Sequence, residues 1–191
     1  MKPVSSFLIQ GLLVVAAVVL TRLVPHPYNF TPLSAVAVYS GLRSDKIWKA
    51  GFLTFAALLV SDALVMSTIQ RGFGTFQEYL MSFTGVGVYL AFLLLVALGR
   101  LQRHRAMPFV ALSLCSSLLF YFVTNFFVWL SPNSGYPPNL SGLWACLYAG
   151  IPFYRGDIMG SFFFNQVWGD LFYFSLLFGF EYVLLRRWRM A

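Results

Sequence analysis

Apolar residues fill this chain in long runs, broken by short polar or proline-rich segments rather than alternating with polar neighbours. A helix needs about 20 apolar residues to cross a hydrocarbon core about 30 Å thick. Six such spans are predicted, at about 4–24, 31–42, 46–66, 78–98, 107–130 and 157–185, the second unusually short. A further apolar piece at 143–153 has only about 11 residues, too few to cross, and reads as an interfacial or re-entrant segment.

The segment between the first two runs is Pro25-His26-Pro27-Tyr28-Asn29-Phe30-Thr31-Pro32. Proline lacks an amide donor and pushes its predecessor out of the helical region, so this stretch cannot continue a helix. Irregular backbone at a bilayer survives where it is buried in protein or lines a wet cavity. A stiff loop bearing His26, Tyr28 and Asn29 is therefore the first candidate for part of a site.

Composition strengthens the membrane reading. The 191 residues are 59% hydrophobic and 10% charged with mean hydropathy +0.75, and no polar stretch is long enough for a soluble domain. One all-α polytopic membrane helix bundle over residues 1–191 is expected. The first run imitates a signal peptide, but further spans follow it and no clear small-x-small cleavage site does. Cys115 and Cys146 are expected too far apart to pair and read as small buried apolar residues.

A net charge of +7 would suggest nucleic acid in a soluble protein. Here it marks topology, because Lys and Arg gather in cytoplasmic loops, and no nucleic-acid partner is implied. With both termini inside, ten of the thirteen basic residues fall inside and only Arg22, Arg71 and Arg155 outside. The inner loops are then short and basic. The outer ones carry the turn chemistry: 25–32, 67–77 and 131–156, where binding surfaces usually lie.

Polar residues inside spans are costly, about 2.5–3.5 kcal/mol for an ionised Asp at a helix centre. Asp62 lies near the outer end of the third span, with a salt bridge to Arg22 or Arg71 as its plain reading. Asn125 follows Thr124 in the fifth span, one turn below Trp129. Gln166, Asp170 and Tyr173 share one face of the sixth by helical spacing. That face reads either as interhelical hydrogen bonding or as the floor of a site under the outer loops. Glu181 is placed for an interfacial pair with Arg186 and Arg187. His26 reads as a hydrogen-bonded loop residue or a ligand contact. Tyr28, Phe30, Phe73, Phe76, Tyr136, Trp144, Tyr148, Phe153 and Tyr154 gather on the outer side, as an aromatic belt or a stacking pocket. Glycosylation triplets at Asn29 and Asn139 are discounted. No phosphate loop, Cys-x-x-Cys or His–carboxylate cluster occurs in the sequence, so neither an enzyme nor a metal or other cofactor is expected.

Arg22-x-x-Pro25-His26-Pro27-x-Asn29-Phe30-Thr31-Pro32 resembles a family of uncharacterised bacterial integral membrane proteins. So does Phe120-x-x-x-Thr124-Asn125-Phe126-x-x-Trp129, followed by Tyr136-Pro137, Gly142-Leu143, Cys146 and Ile151-Pro152-Phe153. That resemblance covers most of the chain and implies no established activity. In architecture the chain is also similar to the S-components of energy-coupling-factor vitamin transporters, six-helix proteins with both termini inside and a ligand pocket roofed by outer loops. The likeness implies a transmembrane coupling subunit and ATPases as partners, docked through small residues on the first three helices. Gly11, Ala16, Ala17, Ala35, Ala37, Gly41, Ala50 and Gly51 suit that role in kind. No cysteine stands in the 67–77 loop, where cobalamin-binding members carry one.

The expected protein is thus a multi-pass protein of the bacterial inner membrane, in contact with lipid. It binds, and helps to take up, a small aromatic or heterocyclic, vitamin-like molecule. The ligand-binding residues expected are His26, Tyr28, Asn29, Asp62, Asn125, Trp129, Tyr136, Trp144 and Asp170. The alternative is a structural or assembly subunit of a membrane complex.

Overall fold

The structure, a computed structural model, describes residues 6–68, 75–105, 107–151 and 161–190. Arg71, Phe73, Phe153, Tyr154 and Arg155 of the expected outer loops lie outside the described residues, as do the side chains of Arg186 and Arg187. Eight helices are present among the described residues: α1 (Ser6–Leu23), α2 (Leu33–Arg43), α3 (Ile47–Thr68), α4 (Phe76–Met81), α5 (Phe83–Leu101), α6 (Phe109–Leu130), α7 (Leu140–Gly150) and α8 (Phe162–Met190). Three stretches, Ile47–Ser67, Phe83–Leu101 and Phe109–Leu130, are long and apolar enough to cross a bilayer, which marks a membrane protein.

The second expected span is a half-length helix. α2 has 11 residues and rises about 16 Å, roughly half the hydrocarbon thickness. Pro32 stands at its N-cap, where a missing amide donor costs nothing. Leu33, Ser34, Ala35, Ala37, Val38, Gly41 and Leu42 are all buried, so α2 is the axis of the bundle. It packs on α3, α5 and α8, while α1 packs on α3 and α6 packs on α5, α7 and α8. The core around it is Val38, Leu58, Phe92, Leu95, Val96 and Phe174.

The α2–α5 contact depends on two glycines. A Cβ at Gly41 would stand 2.1 Å from the Val96 carbonyl oxygen, and one at Gly99 would stand 2.0 Å from that of Val38. The two backbones meet at a distance that admits no side chain, as at other small-residue helix crossings.

The expected fourth span is broken at Ser82. Thr75 and Glu78 form a capping box that starts α4, and Ser82 caps α5 by accepting from the Gly85 amide. The 143–153 piece is a helix of its own, α7, started earlier by Asn139, whose side chain accepts from the Gly142 amide. Of the residues expected to dock a coupling subunit, Ala35, Ala37, Gly41 and Ala50 face the chain's own interior. Ala16 and Ala17 are exposed. Glu181 pairs with Arg43, at 2.7 Å, and so ties α8 to the end of α2. Cys115 and Cys146 are free thiols.

Candidate functional site

The proline-rich segment folds as a tight turn docked on α8. The Phe30 amide donates to the Pro27 carbonyl (3.1 Å), and Asn29 adopts φ +62° inside the turn. Asparagine is among the few residues with a Cβ that accept this left-handed region readily. The loop lies against the start of α8: Tyr28 meets Phe162 edge-on at 5.4 Å, and Phe30 packs on Phe172 and Tyr173. His26 Nδ1 sits 2.8 Å from the Pro27 carbonyl. A carbonyl only accepts, so Nδ1 carries the hydrogen and Nε2 is left for another partner.

Below the loop lies a buried ion pair. Arg22 Nη1 donates to Asp62 Oδ1 and to the Ser61 hydroxyl, with both charged side chains at least nine-tenths buried. Asp62 Oδ2 and the Tyr89 hydroxyl are buried and face one another, with no other hydrogen-bond partner among the described residues.

Two adjoining cavities open between these groups and α6. One, of about 460 Å³, is lined by Arg22, His26, Tyr28, Asn29 and Asp62, with Leu58, Phe92 and Phe120 among its apolar walls. The other, of about 310 Å³, reaches Tyr121, Thr124, Asn125, Tyr136 and Cys146. They share a wall of Asn29, Thr84, Val88, Phe120, Phe162 and Gln166. Each falls within the size of small-molecule sites, which are mostly apolar with a few convergent polar groups.

Gln166 links the cavities to a polar cluster in the bundle interior. Its Nε2 donates to Ser34 Oγ (2.7 Å) and to both oxygens of Asp170 (3.0 Å each). Ser117 Oγ donates to Asp170 Oδ2 at 2.7 Å and Ser116 Oγ at 3.4 Å. Asp170 is fully buried and has no cation in contact among the described residues. Its acceptors are satisfied by hydroxyls and a carboxamide alone.

The structure brings His26, Tyr28, Asn29, Asp62, Asn125 and Tyr136 onto the walls of the paired cavities. It separates the other three. Asp170 lies behind Gln166. Trp129 lines neither cavity, and its indole N–H donates to the Pro137 carbonyl (2.9 Å), bracing the loop after α6. Trp144 is 69% exposed on the outside of α7. Cys146 Sγ on α7 donates to the main-chain carbonyl of Asn125, while the Asn125 side-chain amide turns back within α6 to donate to the Tyr121 carbonyl. Sequence reasoning missed Thr84, Phe120 and Phe162 as walls. Phe120 stood in a motif already singled out, but Thr84 carried no signal, because the cap at Ser82 that turns it inward was read as mid-span.

No curated protein and no solved structure matches the chain. The profile of a family of unknown function, DUF6580, matches residues 2–191. With that match spanning nearly its whole length, the chain belongs to the DUF6580 family.

Proposed function

We infer that this chain is a bundle of six spans with both termini inside, and that its paired cavities bind a small, flat aromatic or heterocyclic molecule from the outer face. The observation that carries the reading is the pair of adjoining cavities, with His26, Asn29, Asp62 and Asn125 converging on largely apolar walls. Asn side chains and the second Asp62 oxygen, which the Tyr89 hydroxyl faces, supply directional hydrogen bonds, while Tyr28, Phe120 and Phe162 offer rings for stacking. The binding serves uptake at the bacterial inner membrane. Uptake against a gradient needs a transmembrane coupling subunit and ATPases, since the chain carries no nucleotide motif.

Small molecules extracted from the protein purified in mild detergent, identified by mass spectrometry, test this reading. A flat heterocycle is expected with the wild type and should be lost from His26→Ala and Asn125→Ala at unchanged thermal stability. Wild-type retention by both variants would remove the cavities as the site.

A second reading, an assembly subunit, draws on one feature. Leu140, Trp144 and Tyr148 are 74%, 69% and 78% exposed and form one stripe along α7 at helical spacing. A stoichiometric companion protein released by substitutions on that stripe would favour it over uptake.

A further inference from the structure

At the opposite end of the bundle a third cavity, of about 330 Å³, lies between the ends of α2 and α5, the start of α6 and the flank of α8. Arg43, Arg103 and Arg105 line it, and Leu42, Met107, Phe109, Leu112 and Phe178 make the remaining wall apolar except for Gln102. Gln102 is only 7% exposed, and its carboxamide oxygen has no hydrogen-bond partner among the described residues. A buried amide left unsatisfied costs free energy unless something in the cavity meets it. Turned over about its last bond, the same group presents its NH2 and donates instead.

Positive charge is in surplus here. Glu181 takes Arg43, and Asp45 stands 3.9 Å from Arg103, whose other nitrogen donates to the Ser44 carbonyl at 2.8 Å. Arg105 is exposed and has no partner among the described residues. A rule that places arginines in cytoplasmic loops explains their number. It does not explain a cavity they share with a buried amide and two phenylalanine rings.

We propose that this cavity seats the phosphate of an anionic phospholipid, with Arg103, Arg105 and Gln102 holding phosphate oxygens and an acyl chain lying on Phe109 and Phe178. Guanidinium groups match phosphate in a fork geometry. Basic pockets between spans at a cytoplasmic face take anionic head groups. A free phosphate ester shares the head-group chemistry but has no use for the apolar wall, so the lipid fits better.

The test uses the full-length protein in mild detergent, given phosphatidylglycerol, phosphatidylcholine or glycerol 3-phosphate, with bound lipid read by native mass spectrometry and thermal stability alongside. Phosphatidylglycerol is expected to be retained over phosphatidylcholine, and Arg105→Gln should weaken that retention about fivefold. The exposed Arg105 side chain has no hydrogen-bond or ionic partner among the described residues, and its main-chain bond to the Gln102 carbonyl survives the substitution, so lipid-free stability should not move. Gln102→Leu should weaken retention of phosphatidylglycerol and leave that of phosphatidylcholine alone. Equal retention of the two lipids, or retention indifferent to Arg105→Gln, overturns the proposal. Stabilisation by glycerol 3-phosphate as strong as that by phosphatidylglycerol overturns the lipid in favour of a free phosphate ester.

Discussion

Asp170 shows how this bundle tolerates a carboxylate with no cation in contact among the described residues. An uncompensated buried charge costs several kcal/mol, and the helices offset that with Ser116, Ser117 and Gln166 as donors. The carboxylate and its donors therefore have to be judged together. Asp170→Asn keeps an acceptor oxygen and the side-chain volume, so it should change stability by less than about 1 kcal/mol. Asp170→Leu removes the nearest acceptor of Ser117 and two of the three acceptors of Gln166, which keep only the Ser113 carbonyl and Ser34, and should cost about 2 kcal/mol or more. Thermal unfolding in detergent distinguishes them. Equal stability of the two variants would mean that the cluster contributes nothing to the fold.

Among the elements, α2 and α5 make an exacting contact, because carbonyl oxygens lie where a side chain at Gly41 or Gly99 would have to be. Gly41→Ala should destabilise by about 2 kcal/mol or prevent insertion, since a backbone atom cannot rotate aside. Gly51→Ala adds a methyl only 3.8 Å from the Leu93 side chain, an ordinary contact, and should be near neutral. Thermal stability and the yield of inserted protein decide between them, and two equally mild variants would refute the close crossing. This contact was hidden in the sequence, where Gly41 read as a docking surface for another subunit. Composition marks a residue as small but not the backbone that approaches it. The start of α4 is legible, because Thr75 and Glu78 spell a capping box, whereas the break at Ser82 rests on a single serine before the apolar run of α5 and leaves little trace in the sequence. The turn at 25–32 was legible because proline excludes helix whatever surrounds it. For the same reason of scale His26, Asn29 and Asp62 could be expected near one another, whereas Trp129 and Trp144 could not be told from the belt of aromatics at a membrane surface.

The whole molecule has two unlike ends, and α2 sets the distance between them. It begins at the proline turn and finishes at Arg43, beside the arginines of the 102–105 turn. A helix of 11 residues covers about half of a bilayer's core. In the proposed topology, with Arg43 at the basic interface, the proline turn and the paired cavities would lie well within the membrane, on the side of the 131–139 segment that follows α6. Irregular backbone at that depth is tolerable because α8 covers it and cavities line it. This arrangement requires α6, 22 residues long, to cross completely, with His104 before it and Asn133 after it on opposite sides. Both positions are exposed, so single cysteines can replace them in a chain with Cys115 and Cys146 changed to alanine. A membrane-impermeant maleimide should label Asn133→Cys in intact cells and His104→Cys only after permeabilisation, because basic loops are as a rule retained in the cytoplasm. Labelling of both from one side would mean that α6 does not span and that the cavities do not face outward. The reverse pattern would keep the span but turn the proposed binding site toward the cytoplasm.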